Sequence, residues 1–432
     1  MSNDPAFQRA LDACAAEPIH IIGAIQPPGV LLVYQRHGGR IVAASANAAV
    51  LFETEVQALL GQPIHQVVDT PLLDLVSEAI AHREPGPSRL AGIGNVGAFG
   101  ALYHASAHAD GDLVHIELEP VSSERGPDEG QAVLALDSNG PDGLLQALAQ
   151  QVQALSGYSR VMVYQFLHDG SGEVLAEALD GDLPSYLGLR YPASDIPPQA
   201  RALYLRNRVR AIADVNHTPS PVHQDPQLPE PLDMSYDVLR TVSPVHLEYL
   251  RNMGVAASMS ISLVVDGKLW GLVACHHHEP REVCAHTRQA LDLLGRHASM
   301  ILDASALREQ VQRKEAMRAQ RDLVEARLHG LADPVSGLYG VLDAALAAVS
   351  ADGIVLHLGG RHLASGSVPA SGGIDAALRW ARNRGRSSVA CTALGEDWNP
   401  ADDVHDACGV LALPLGRGVD DWLLLFRREQ RR

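Results

Sequence analysis

The 432-residue sequence predicts a multidomain α+β fold, and three observations carry that reading. Short apolar runs alternate with turns over residues 20–118 and again from about 143 to 285. This is the pattern of antiparallel sheets with small helices on one face. From His286 to about Leu331 the punctuation stops, and a single long helix is predicted with only Gly295 and Gly330 inside it. The total length leaves room for two to four domains.

The elements follow in chain order. Val30 to Tyr34 reads as a strand, Gly38-Gly39 as a turn, Ile41 to Ala44 as a second strand and Ala46 to Phe52 as a short helix. Leu113 to Glu119 alternates apolar and polar residues, which predicts a half-buried strand. Ser122 to Gln131 (SSERGPDEGQ) is polar and reads as a linker. Leu144 to Leu155 is helical in pattern, and Arg160 to Phe166 is strand-like, followed by the turn Asp169-Gly170. Asn216 to Leu232, rich in Pro and His, predicts an irregular surface loop. Ser258 to Val265 and Leu269 to Cys275 flank Asp266-Gly267, a strong hairpin signal. The long helix keeps Leu291, Leu294, Ile301, Ala304 and Leu307 at helical spacing, either as a solvated connector or as a stripe for a partner helix. Residues 335–428 read as a third module, with Gly353 to Leu358 and Asp421 to Phe426 as strands.

Composition narrows the function. Apolar content of 46% and charge of 20% are those of globular protein. A formal charge of −17 argues against general nucleic-acid or anionic-membrane binding. No apolar run is long enough to span a bilayer. No basic leader precedes an apolar stretch, so a cytoplasmic protein is expected. The five cysteines, at 14, 275, 284, 391 and 408, are irregularly spaced. They suggest free thiols, and no CxxC pair points to a metal site.

Several residues could carry chemistry. In Tyr191-Pro192-Ala193-Ser194-Asp195-Ile196-Pro197-Pro198, two X-Pro bonds stiffen the backbone until Pro198 can open a helix. Such a turn is either a strand-to-helix corner or a ligand platform. Arg201, Arg206, Arg208 and Arg210 crowd one stretch; most arginines in such a run are solvated, but one or two could pair a carboxylate through two hydrogen bonds. Ser258, Ser260 and Ser262 share one face of a strand. His276, His277 and His278 are consecutive, so they cannot converge on one ion unaided. Cys14 stands in a polar segment and is either an ordinary thiol or a nucleophile.

The tract around Asp195 resembles the PASDIP signature of the phytochromes, the bilin-binding red-light receptors. Three further stretches resemble that family in the right order: Cys14-x-x-Glu17-Pro18-Ile19-His20-x-x-Gly23-x-Ile25-Gln26-Pro27, the stretch Ser243 to Gly254, and Trp270-Gly271-Leu272-Val273-Ala274-Cys275-His276-His277. One departure is Pro28, where the family usually has His. The resemblance implies PAS, GAF and PHY domains in order: an N-terminal segment plus PAS at 1–121, a linker at 122–140, a bilin-binding GAF domain at 141–285, a connecting and dimerisation helix at 286–331, and a partial PHY domain at 332–432. It implies a PAS–GAF knot, with the Asn216–Leu232 segment as the lasso.

The resemblance also implies a site. Biliverdin, a linear tetrapyrrole, would attach through ring A to Cys14 as a thioether. The Asp195 carbonyl, beside Ile196, and His246 would meet the pyrrole N–H groups, and His276 the ring D carbonyl. Arg210 and Arg240, with Tyr204, Ser243, Ser258 and Ser260, would hold the propionates. Met162, Tyr164, Tyr186, Tyr191 and Tyr249 would line the pocket and the ring D end. The Asp195 side chain would face the "tongue" hairpin of the PHY domain, which the family carries beyond the point where this sequence stops at Arg432. The implied protein is a red/far-red photoreceptor and homodimer without a kinase or cyclase domain in this chain, its output partner encoded elsewhere. The alternative from the residues alone is a GAF-type sensor of a small anion such as a cyclic nucleotide, which leaves Cys14 and His276 without a role.

Overall fold

The computed structural model describes residues 16–81, 86–97, 100–121, 141–228, 230–329, 334–349, 351–385, 387–391, 407–415 and 421–428. Cys14 and the predicted 122–140 linker lie outside them. The chain divides into two compact units, Met1–Ser305 and Ala306–Arg432.

The first unit holds two antiparallel sheets. Strands β1 (Ala24–Ile25), β2 (Val30–Gln35) and β3 (Ile41–Ser45) are followed by helices α1 (Ala48–Phe52), α2 (Val56–Leu59) and α3 (Thr70–Ile80). Then come β4 (Arg89–Val96), β5 (Ala101–Asp110) and β6 (Leu113–Pro120). Leu72, Val76 and Ile80 recur at helical spacing along α3 and pack on Val30, Leu32, Ala105 and Ile116 of the sheet.

The second sheet starts after helix α4 (Pro141–Ser156). Its elements are β7 (Arg160–Phe166), β8 (Gly172–Leu179), β9 (Arg190–Tyr191), α5 (Pro198–Arg206), β10 (Val209–Ile212), β11 (Ser220–Gln224), α6 (Pro244–Asn252), β12 (Ala257–Val265) and β13 (Lys268–His277). The strand order is β10-β12-β13-β7-β8-β9. Alternation along the strands separates two faces. Val161, Val163, Met259, Ile261, Val273 and Cys275 pack against α4 and the start of helix α7 (Ala285–His329), through Leu148, Val152, Leu291 and Leu294. Gly295 lets the helix approach closely: a Cβ there would stand 2.5 Å from Ile261 Cγ2. The predicted Asp266-Gly267 turn joins β12 to β13 with φ of 50° and 68°, the left-handed pair a tight hairpin requires.

Three expectations fail in this unit: Leu291, Leu294 and Ile301 face neither solvent nor a partner helix but pack on the second sheet, and the other two fail for one reason. Asn216 to Leu232 is not wholly irregular, because β11 lies within it and joins the first sheet, whose order is β1-β11-β3-β2-β6-β5-β4. Strand β1 pairs with β11 on one side, and Thr241 N donates to Ala24 O and Gln26 N to Leu239 O on the other. The N-terminal segment is thus held between two arms of the loop joining β10 to α6, as a threaded segment would be. Strand β6 is not half-buried either. His115 and Glu117 are as buried as Val114 and Ile116. The 232–239 part of that loop covers the face that the alternation assigned to water: Leu239 N donates to Glu117 at 2.6 Å, and Asp237 meets His115.

The second unit contains the remainder of α7, helix α8 (Pro334–Ala348), β14 (Gly353–Leu358), β15 (Arg361–Gly366), α9 (Ser371–Asn383), β16 (Val389–Cys391), β17 (Gly409–Pro414) and β18 (Trp422–Arg427). Its antiparallel sheet runs β15-β14-β18-β17-β16. Trp422, Leu424 and Phe426 of β18 pack against Ile374, Leu378 and Trp380 of α9.

Candidate functional site

The face of the second sheet away from α4 forms one wall of a cavity of about 530 Å³, within the usual range for a small-molecule site. The opposite wall comes from the 194–210 segment, α6 and the N-terminal residues Glu17 and Ile19. Every residue predicted for the site within the described part of the chain lines this cavity: Met162, Tyr164, Tyr186, Tyr191, Asp195, Ile196, Tyr204, Arg210, Arg240, Ser243, His246, Tyr249, Ser258, Ser260 and His276. They come together because alternate positions of β7, β12 and β13 face the same way. Ser262 shares that face but is turned to another task, donating to Tyr204 O at 2.7 Å. The consecutive histidines separate as predicted, His276 toward the cavity and His277 to Ser159, whose N–H meets its Nδ1 at 3.1 Å.

The Pro-rich tract forms a 3₁₀ turn, Ala193–Asp195, before α5 opens at Pro198. Arg201 fastens it. Its Nε donates to Ile196 O at 2.7 Å and its Nη2 to Gly170 O at 2.6 Å and Ala193 O at 3.4 Å. That clamp was not recognised in the sequence, although an arginine in the first turn of α5 is close enough to reach back over the preceding turn. The other arginines of the run diverge. Arg206 donates to Ser235, Arg208 stands near Arg296 and Asp292, and Arg210 turns inward.

Arg210 and Arg240 define one end of the cavity. Arg210 Nη1 donates to Val238 O at 2.8 Å and Asp237 O at 3.4 Å, and Nη2 to Thr241 O at 3.0 Å. Arg240 Nη1 donates to Ile19 O. Both Nε atoms are buried without a partner. Burial, with Arg240 alongside, pushes Arg210 well below the usual guanidinium range, and burial lowers Arg240 as well. Two buried cations with free donors favour an anionic group. Around them, Tyr204 bonds Ser260, and Ser243 donates to Glu17 at 2.7 Å. Glu17 is a lining residue that sequence reasoning left without a role; it lay inside the N-terminal motif but carried no separate signal.

The middle and far end differ in character. His246 is pushed down to about 4 by burial and by Arg210. His276 is also pushed down to about 4, by burial, Arg160 and His246. Both rings are therefore neutral at pH 7, each able to donate one hydrogen bond and accept another. The far end is aromatic. Tyr164 packs against Phe166 and Tyr191 at centroid distances of 5.4 and 6.1 Å, and Arg160 lies 3.7 Å over Tyr186. Burial raises Tyr164 and Tyr249 to about 12. Burial also raises Asp195, and its hydrogen bond from Tyr249 at 3.4 Å opposes that shift. Tyr164 fits only because residue 172 is glycine: a Cβ there would stand 1.9 Å from Tyr164 Cζ.

The chain that builds this site, with its arginine-lined end, neutral histidine pair and aromatic end, is similar to known proteins along most of its length. Family models match a PAS fold at residues 14–121, a GAF domain at 140–302 and the phytochrome region at 316–432. The chain belongs to the phytochrome family. Its similarity extends to the bacteriophytochromes: it is 37% identical to one from Xanthomonas campestris pv. campestris, over 97% of this chain and 69% of the relative. It is also 37% identical to a bacteriophytochrome of Pseudomonas aeruginosa and 34% identical to cyanobacterial phytochrome B of Nostoc. The chain spans 58% of the length of each of those two relatives. Among solved structures, a bacteriophytochrome from R. palustris superposes with a TM-score of 0.82 at 35% identity, over 97% of this chain and 86% of that one. The photosensory core of Stigmatella aurantiaca phytochrome gives 0.80 at 34%, with the same coverage. No helix among the described residues is long and apolar enough to cross a membrane.

Proposed function

We propose that this chain is the light-sensing part of a red/far-red receptor that holds biliverdin in the GAF cavity, linked through Cys14 as a thioether. The domain division at 1–121, 122–140, 141–285, 286–331 and 332–432 belongs to the same reading. The observation that carries it is the pair Arg210 and Arg240, buried at one end of the cavity with unpartnered Nε atoms. Two carboxylates would find partners there, and the rest of the cavity is mainly apolar and aromatic around neutral His246 and His276, which suits a tetrapyrrole with polar pyrrole N–H and carbonyl groups.

In this reading Arg210 and Arg240 pair with the two propionates, and Tyr204, Ser243, Ser258 and Ser260 supply hydroxyls around them. The Asp195 carbonyl, fixed by the turn that Arg201 clamps, accepts from the pyrrole N–H groups beside Ile196, and neutral His246 completes their partners. His276 donates to the ring D carbonyl, while Met162, Tyr164, Tyr186, Tyr191 and Tyr249 shape the space around that ring. When bound, the bilin supplies a light-driven isomerisation at the bridge between rings C and D. The chain's residues convert this into altered hydrogen bonds at His276 and Asp195, a two-state switch biased by light. Helix α7 transmits the change within a homodimer. Leu293, Met300 and Leu307, exposed at seven-residue spacing along α7, support that role. The reading assigns the matched domains a sensory rather than an enzymatic role in the cytoplasm, with output passed to a further domain or partner.

Coexpression with heme oxygenase tests the proposal: a red-absorbing pigment should copurify, and a colourless protein would refute it. Cys14→Ser should keep the pigment but lose covalent attachment, seen as lost zinc-dependent fluorescence on a denaturing gel.

A further inference from the structure

We propose that His108, His115 and Asp237 form a binding site for a divalent cation of the zinc class, at the seam between the first sheet and the loop that reaches the cavity. His108 on β5 and His115 on β6 are directly opposed across the two strands, so both rings project from the same face. The rings lie 4.3 Å apart. Asp237 arrives from the loop before α6 and is fully buried, as the two histidines nearly are.

The donor atoms converge. His115 Nδ1 lies 3.0 and 3.1 Å from the two Asp237 carboxylate oxygens, and His108 Nδ1 lies 3.7 Å from Oδ1. One donor atom from each residue falls within 4.8 Å of the others. A tetrahedral zinc ion bound by nitrogen and oxygen spaces its donors about 3.3 to 3.5 Å apart. The set therefore needs adjustments of the size that side-chain rotation provides. Two imidazoles and a carboxylate leave a fourth position for water, the ligand chemistry that suits zinc over magnesium or calcium.

Two further features point the same way. His108 Nδ1 has only weak protein partners, Ser88 Oγ at 3.5 Å and Asp237 at 3.7 Å. Glu117, two residues along β6 on the same face, is fully buried with Oε2 unpartnered. A cation at Asp237 would bring a positive charge to this buried acidic pair.

The site would have a structural consequence. The carbonyls of Asp237, Val238 and Thr241 hold Arg210, and Leu239 N holds Glu117. A cation on Asp237 would tie β5 and β6 to the segment that orients the cavity's arginines.

The test uses the pigment-bearing full chain, loaded with zinc chloride, dialysed against metal-free buffer and assayed for zinc by elemental analysis. The wild type and a His278→Gln control should retain about one zinc per chain, and His108→Gln and Asp237→Asn less than about a fifth of that. A wild type that retains none, or two variants that retain zinc undiminished, would overturn the proposal. Should the variants fail to fold, X-ray absorption at the zinc edge of the wild type decides. Two imidazoles and oxygen around zinc uphold the site; sulfur or a single imidazole refutes it.

Discussion

Arg240 offers the sharpest energetic prediction. It is 4% exposed, gives one hydrogen bond to Ile19 O and keeps Nε without a partner. A propionate placed against it would gain one charge-assisted contact in a setting shielded from water, worth about 1.5 to 3 kcal/mol. Arg240→Gln should therefore weaken biliverdin binding by about 10- to 150-fold. The assay is an absorbance titration of biliverdin into the Cys14→Ser background, where binding is reversible. Removal of Arg240 also disturbs Asp237, so the loss alone is ambiguous. Biliverdin dimethyl ester resolves it as the second arm of a double-mutant cycle. The ester should bind the wild type more weakly than biliverdin does, and its penalty should be smaller in the Arg240→Gln variant, where only the propionate at Arg210 still has a charged partner to lose. If the ester costs the same affinity in both proteins, the effects are independent and Arg240 does not meet a propionate.

Three other outcomes follow from the geometry. Gly172→Ala drives a methyl into Tyr164 and should lower stability by about 1 to 3 kcal/mol, read by thermal melting; an unchanged melting temperature would mean Tyr164 is free to move aside. His246 and His276 have folded values near 4, below the unfolded value near 6.5. The pigment-free chain should therefore hold its stability above pH 6.5 and lose it as pH falls toward 4, because the unfolded chain binds the extra protons; denaturant titrations of wild type and His246→Gln/His276→Gln should converge if these two groups are responsible. Tyr158 Oη is buried without a partner, so Tyr158→Phe should leave stability unchanged or raise it by about 1 kcal/mol, and a large loss in urea unfolding would contradict that.

The sheets and the long helix were legible because their signals are local. The Asp266-Gly267 hairpin, the strand at Val30 and the unbroken run after His286 depend on residues near in sequence. Strands such as β4 and β5, rich in Ala, Gly and Ser, carry little apolar alternation, and they were not predicted. The burial of His115 and Glu117 was illegible for another reason: the segment covering them lies more than a hundred residues away. Pattern alone assigns such positions to water. The cavity residues could be gathered from motifs, and alternation explains why Ser258 and Ser260 face inward with His276. Neither motif nor period shows that Arg201 clamps the Asp195 turn, since that bond depends on the path of the chain between them.

A light receptor of this kind must hold in its cavity a bilin that responds to light. The direct measurement is an absorbance spectrum of the protein assembled with biliverdin, before and after red illumination. A red band that falls on illumination while absorbance at longer wavelength rises is the predicted result. A protein that forms no red-absorbing complex, or whose band is unmoved by red light, would contradict it.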